Sequence, residues 1–167
     1  TIVGVIVDGF CPGVNSGAIG ISPFDEFAAV QSRNVSVKNC RINRSNNFGI
    51  AFGNVSRGTL SKNIFTDAWR EAIGLECWGN SSVVEDILVS ENMLHMSTSL
   101  SNHHGGSIGP AILVGGAGQS YGGATRRCVL KGNIITIDNP EDMQAYNGIV
   151  IVGGNSDAYA AEDIELE

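Results

Sequence analysis

The sequence predicts an all-β fold, a right-handed parallel β-helix of about five coils, and three observations carry that prediction. Short strands recur with one alternation, each is followed by a second apolar pair, and the apolar spacing nowhere follows the 3.6-residue period of a helix. The rows, in order, are "TIVGVIVDGF", "NVSVKNCRI", "GTLSKNIF", "DILVSENML" and "RCVLKGNII". They superimpose when Asp8, Cys40, Asn63, Asn92 and Asn133 share one column. Apolar residues then stand three places before it (Val5, Val37, Leu60, Val89, Leu130) and two after it (Phe10, Ile42, Phe65, Leu94, Ile135). Five places before it are Val3, Val35, Gly58, Ile87 and Cys128, with Gly58 as the break.

The second pairs are Ile19/Ile21, Ile50/Phe52, Ile73/Leu75, Ile112/Val114 and Ile149/Ile151, and the first member of each follows a small residue. Column residues lie 32, 23, 29 and 41 positions apart, so the strands are constant and the connections vary. Three short strands per repeat, alternating inward and outward, make one coil of a solenoid that bonds only to its neighbours. The column is expected at the inward corner between the second and third strands. An asparagine there can take a bridging or left-handed turn conformation while its side-chain amide bonds backbone and the next coil's amide. Cys40 is a small, buriable interruption. "DIELE" puts Ile164 and Leu166 at the first two apolar positions of a sixth row. Residues 1–167 are thus expected to be a single β-helix segment, part of a longer chain and truncated at both ends.

Ten Lys and Arg, scattered, face seventeen Asp and Glu, a formal net charge of −7, which argues against nucleic acid as a partner. Twenty-two glycines with four prolines suit many tight turns better than a disordered linker. No apolar run reaches the ~18 residues of a membrane helix, so no membrane partner is expected. Cys11, Cys40, Cys77 and Cys128 lack metal-type spacing and read as buried free thiols.

The repeated N-x-[IFL] corners and G-I-x-[FLV] strands resemble the pectin-lyase-like superfamily: pectate lyases, polygalacturonases, alginate-modifying enzymes and phage tailspikes. The resemblance spans nearly the whole chain. It implies the fold and an extracellular or virion-associated protein whose partner is a polysaccharide, with a homotrimer if it is a tailspike. It transfers no catalytic residue, because the polygalacturonase signatures N-T-D, D-D, G-H-G and R-I-K and the pectate lyase pattern R-x-P-x-x-R are missing. In such enzymes the sugar lies on the outer face of the sheet formed here by the "GIAFG" rows. Its outward positions are Gly20/Ser22, Ala51/Gly53, Gly74/Glu76, Leu113/Gly115 and Val150/Val152, and the small ones among them would let a flat sugar ring approach. Glu76 is the one ionisable residue among them.

Loops before that sheet add polar chemistry. "TDAWREAIGLE" carries Asp67, Trp69, Arg70 and Glu71; the next row carries His95, His103 and His104; the fifth carries Asp138, Glu141, Asp142 and Tyr146. Coils are ~4.8 Å apart, close enough for Asp67 or Glu71 to approach Glu76 and the histidines. The catalytic candidates are Asp67, Glu71, Glu76 and His103, acting as acid and base in hydrolysis or in proton removal beside a uronate carboxyl. Trp69, Arg70 and His104 are the substrate-binding candidates, by stacking and by charge. An alternative pairs Arg70 with Glu71 or Asp67 in a solvated loop. "HH" at 103–104 has no partner at zinc spacing, and "DNPEDM" offers Ca²⁺ three carboxylates without the glycine of a calcium loop, so no cofactor is required, with Ca²⁺ as the candidate cation. "VGGAGQSYGG" lacks a phosphate-loop ending and reads as a connection. Sequons occur at Asn34, Asn54 and Asn80. Two functions remain open: a carbohydrate-active lyase or hydrolase, including a tailspike depolymerase, or a non-catalytic adhesin, stalk or glycan-binding module.

Overall fold

A computed structural model of the chain describes residues 1–8, 17–21, 31–45, 48–68, 70–77, 82–96, 109–115, 123–137, 148–152 and 161–167. These form seventeen strands, numbered β1 to β17 along the chain, in three parallel sheets. The first sheet runs β1 (Ile2–Val3), β5 (Ser36–Lys38), β8 (Val55–Ser61), β11 (Val83–Ser90), β14 (Ala124–Lys131) and β17 (Ala161–Leu166), with β4 (Ser32–Arg33) also on β8. The second holds β2 (Ile6–Asp8), β6 (Arg41–Asn43), β9 (Ile64–Ala68), β12 (Met93–Met96) and β15 (Ile134–Ile137). The third holds β3 (Gly17–Ile21), β7 (Phe48–Phe52), β10 (Ile73–Leu75), β13 (Ile112–Gly115) and β16 (Ile149–Val152). Each strand pairs with its counterparts one coil before and after, which is a parallel β-helix.

The inward columns fall as the sequence places them from the second row on. Val37, Leu60, Val89 and Leu130 stack in register, as do Ile42, Phe65, Leu94 and Ile135. All but Ile135 are buried, and Ile135 packs on the same core. In the third sheet all five second pairs align, Ile19 to Ile149 and Ile21 to Ile151. Ile164 and Leu166 pair with Cys128 and Leu130, the sixth row as expected. Gly58 is explained by its neighbours: a Cβ there would lie 2.7 Å from Ile87 Cδ1 and 2.8 Å from Phe52 Cε2. The Phe52 ring takes the space that a side chain fills in the other coils.

The corner ladder is present and fully hydrogen-bonded. Asn63 Nδ2 donates to Asn92 Oδ1 (3.0 Å) and Asn92 Nδ2 to Asn133 Oδ1 (2.9 Å). The same amides donate to Val37 O and Leu60 O, and Asn133 Nδ2 to Val89 O. Each Oδ1 also accepts the backbone N–H one coil earlier, that of Cys40, Asn63 or Asn92. Cys40 ends the ladder with its thiol on Lys38 O. The left-handed residue, however, is the one before the ladder: Asn39, Lys62, Glu91 and Gly132 have φ of 52°, 56°, 55° and 59°. Turning the backbone there leaves the asparagine itself free to point inward.

The same feature corrects the first row. Gly4, at φ 68°, is the corner residue, so Ile2 rather than Val5 pairs with Val37, and Asp8 pairs with Asn43, not with Cys40. Val5 is 40% exposed. Nearly every position of "TIVGVIV" is apolar, so alternation could not choose between registers three residues apart. Phe10 lies outside the described residues.

A second left-handed column, unexpected from the sequence, kinks the first sheet: Asn34, Arg57, Asp86, Arg127 and Asp163 all have φ between 52° and 57°. Charges alternate along it. Arg127 Nε donates to Asp86 Oδ1 at 2.6 Å and Arg126 Nη2 to Glu85 Oε2 at 2.9 Å; burial raises the Glu85 carboxyl but Arg126 and Arg127 together outweigh it, and Arg127 lowers Asp86, so both carboxyls lie below their ordinary range. Opposite charges on successive coils oppose a slip in register.

Candidate functional site

The outer face of the third sheet collects Phe48, Arg70, Glu71, Gly74, Glu76 and Gly109. Arg70 and Glu71 lie between β9 and β10, and Glu76 follows β10, its amide donating to Phe52 O at 3.0 Å. Gly74 and Glu76 share the outward side, since Glu76 Oε1 would lie 3.2 Å from a Cβ on Gly74. Phe48 reaches that side because alternation lapses at Gly49. The successive amides of Gly49 and Ile50 donate to Glu71 O and Ala72 O, and the missing Gly49 side chain would point into the Phe65 ring. The Phe48 ring then packs over Gly74, 2.9 Å from where a Cβ would stand, with the Arg70 guanidinium 5.9 Å from its centroid.

This face is covered rather than open. Ala51 and Glu76 are 2% exposed and Glu71 is 3% exposed, so the platform of small outward residues expected for a sugar ring is closed at the second and third coils. The Phe48 ring packs over Gly74 there, and the Arg70 stem lies against Gly109. Arg70 Nε stands 3.1 Å from Glu71 Oε2 as an ion pair within this covered region, not in a solvated loop. The Glu71 carboxyl also lies against the next coil, 2.8 Å from a Cβ on Gly109.

Burial pushes the Glu71 carboxyl above its ordinary range, with Arg70 opposing the rise. For Glu76 burial is again the larger cause; the Glu71 charge adds to it, Arg70 opposes it, and the carboxyl is pushed up to about 9. Glu76 Oε1 is buried without a hydrogen-bond partner. At neutral pH Glu76 is therefore a protonated acid beside a second carboxyl group that Arg70 holds.

The structure thus brings Glu71, Glu76 and Arg70 together, and Asp67 does not join them. Thr66 and Asp67 together oppose His95 in a bulge, Asp67 taking φ 55°. That turn aims Asp67 at His95 Nδ1, 3.7 Å away, on the outer face of the second sheet. Trp69, His103, His104 and the "DNPEDM" segment lie outside the described residues. Phe48 and Gly109 were missed; the signal for Phe48 was the glycine after it, at a position where the other coils carry the small residue that turns inward.

Other motifs resolve structurally. Cys40, Cys77 and Cys128 are buried free thiols, with Cys77 Sγ donating to Ala124 O. Asn54 is 6% exposed and its Oδ1 accepts the Val83 N–H, so that sequon is closed in the folded chain; Asn34 is exposed at a left-handed turn.

A family model for the right handed beta helix region matches residues 15–163. The chain belongs to the right-handed beta-helix family. Membership accounts for the stacked sheets of this β-helix protein, whereas chemistry depends on which side chains each coil carries outward. Searches of curated proteins and of solved structures found no match.

Proposed function

We propose that this β-helix protein acts on a polysaccharide outside the cell or on a virion, as a glycoside hydrolase in which Glu76 is the general acid and Glu71 the partner carboxylate. The observation that supports this reading is the Glu71–Glu76 pair, two neighbouring carboxyl groups whose surroundings give them different tasks. Burial and the Glu71 charge keep the Glu76 proton in place at neutral pH, as donation to a departing glycosidic oxygen requires. Burial raises the Glu71 carboxyl and Arg70 opposes that rise; in its ionised form Glu71 is the group that would attack the sugar carbon or activate a water. The chemistry calls for no metal or organic cofactor. Glu76→Gln and Glu71→Gln should each lower reducing-end release from the cleaved polysaccharide at least ~100-fold, the scale of general acid–base catalysis, with the fold retained by circular dichroism. Unchanged cleavage in Glu76→Gln overturns the assignment. A tailspike depolymerase would in addition sediment as a homotrimer.

The near-complete burial of both carboxyls favours a second reading, a non-catalytic adhesin, stalk or glycan-binding module in which the pair is structural. A wild-type protein that cleaves no acidic or neutral glycan while Glu76→Gln gains stability selects it.

A further inference from the structure

The outer face of the second sheet lies apart from the carboxyl pair. Its central outward column is Ile6, Arg41, Ile64, Met93 and Ile134, in register across five coils. The apolar members are 70%, 38%, 53% and 56% exposed in that order, although such side chains are ordinarily the first to be buried. Apolar side chains lined up on the outside of a sheet mark an interface. An ion pair flanks the column on each side, and both pairs join the same two coils. Lys62, before β9, stands 3.7 Å from Glu91, before β12, and Asp67 in β9 stands 3.7 Å from His95 in β12. The third coil thus carries Lys62 and Asp67, and the fourth carries a group of complementary chemistry beside each. One coil further out, the left-handed corner positions are the uncharged Asn39 and Gly132, and Thr136 is the register partner of His95.

We infer that this face pairs with the same face of a second copy of the chain, the two solenoids running antiparallel about a two-fold axis midway between β9 and β12. Reversal about that axis lays the third coil of one copy on the fourth coil of the other. Ile64 then covers Met93 of the second copy and Met93 covers its Ile64, the flexible thioether filling in against the branched side chain. Lys62 meets Glu91 of the second copy and Asp67 meets its His95, each contact made twice, as an isologous interface requires. Arg41 comes over Ile134, with its stem on the apolar side chain and its guanidinium at the rim. At that rim Lys38 approaches Lys131, whose charge Glu167 already matches. A parallel two-fold pairing would instead set Arg41 against Arg41 in the middle of the apolar column, which like charge opposes. The balanced flanks also select a copy of the chain over an anionic surface, since Glu91 and Asp67 stand beside the column as Lys62 does. Strands of three to five residues make a narrow face. The contact therefore falls short of the about 800 Å² per partner of a standard interface, and the dimer is weak and concentration-dependent. It is independent of the proposed hydrolase, whose residues lie on the third sheet.

The test is sedimentation velocity over a concentration series reaching several hundred micromolar. Wild type should pass from monomer to dimer as concentration rises. Ile64→Ser with Met93→Ser should weaken association at least tenfold, the outward positions leaving the core intact, checked by circular dichroism. Lys62→Glu should weaken it severalfold, because it then meets Glu91 of the second copy, and Lys62→Glu with Glu91→Lys should restore it. The exchange separates the two symmetric pairings: in the parallel one, position 62 meets Asp67 of the second copy, so the exchanged protein would stay weakened. Glu76→Gln should dimerise as wild type does. A protein that stays monomeric throughout the series overturns the inference, as does a homotrimer or a dimer indifferent to the serine substitutions. An exchange that fails to restore association overturns the antiparallel pairing. Binding to anionic vesicles by a monomeric protein, removed by the serine substitutions, assigns the face to a membrane and overturns the inference as well.

Discussion

Replacing Glu76 with glutamine should make the protein more stable at neutral pH, and the gain should grow with pH. Glu76 is 2% exposed and its carboxyl is pushed from an ordinary 4.5 up to about 9, first by burial and then by the Glu71 charge. Between those values the folded chain keeps the proton and the unfolded chain has lost it. Unfolding then releases a proton, so raising the pH favours the unfolded state. The contribution is fully present below pH 4.5, is lost progressively as pH rises, and levels off above about 9, where the folded form ionises too. One proton corresponds to about 1.4 kcal/mol per pH unit, hence about 3 kcal/mol at pH 7. Glutamine copies the protonated acid without the titration. Urea unfolding of both proteins from pH 5.5 to 8.5 should give curves that diverge by roughly 4 kcal/mol over the range at constant m-value. This window avoids Glu85 and Asp86, whose lowered values make them contribute in the opposite sense, with stability lost as acid is added. It also lies below Cys128, whose burial pushes its thiol up to about 12. Parallel curves would refute the buried, protonated Glu76.

Other outcomes follow from the interior. Leu60→Ala, at a fully buried position, should cost ~2–5 kcal/mol in urea unfolding through lost burial and a cavity; an unchanged midpoint would sink the register. Asn92→Ala should cost at least ~2 kcal/mol, because Leu60 O, the Asn63 amide and Asn133 Oδ1 all lose a partner, while Ser90→Ala should have little effect; equal losses would remove the ladder's special role. Gly58→Ala should destabilise by ~1–3 kcal/mol through its approach to Ile87 and Phe52, and a Phe52→Leu background should relieve that cost; additive losses in the double variant would show that the Phe52 ring is not the obstacle.

The fold was legible because a solenoid repeats its inward contacts at every coil, so each column is sampled several times along one chain. Ile50/Phe52, Ile73/Leu75 and Ile112/Val114 could be aligned although the repeat interval varies from 23 to 41 residues, since coil-to-coil pairing fixes the strands alone. Reading failed where repetition offered no contrast. In the first row consecutive apolar residues permitted two registers, and the decision rested on Gly4, whose left-handed backbone matches Asn39 one coil on. The kink through Arg57, Asp86 and Arg127 stayed hidden because its residues share a backbone conformation and not a residue type. Left-handed non-glycine residues normally cost about 1–2 kcal/mol each, so a residue pattern carries little sign of them unless the coils supply compensating pairs.

The site was legible in composition but not in electrostatics. Glu76 stood out as the ionisable outward residue of its sheet and Glu71 as a neighbour one turn away, yet outward position suggested an exposed carboxylate with an ordinary titration. What changes its chemistry is a contact between coils. Gly49 turns its bare face inward, Phe48 is thereby sent outward, and its ring settles over Gly74 beside Glu76. A glycine on one strand and a glycine on the next thus help to bury a carboxyl group on the outside of the solenoid, where the fold alone would have left it in water. Fold and site are coupled through that pair of absent side chains. Gly74→Ala tests the coupling directly, since its Cβ would stand 2.9 Å from the Phe48 ring and 3.2 Å from Glu76 Oε1. Displacing the ring should let water reach the carboxyl and lower the pH at which Glu76 ionises. The pH dependence of unfolding would then flatten toward that of Glu76→Gln, while a profile as steep as wild type would show that Phe48 is not what keeps Glu76 protonated.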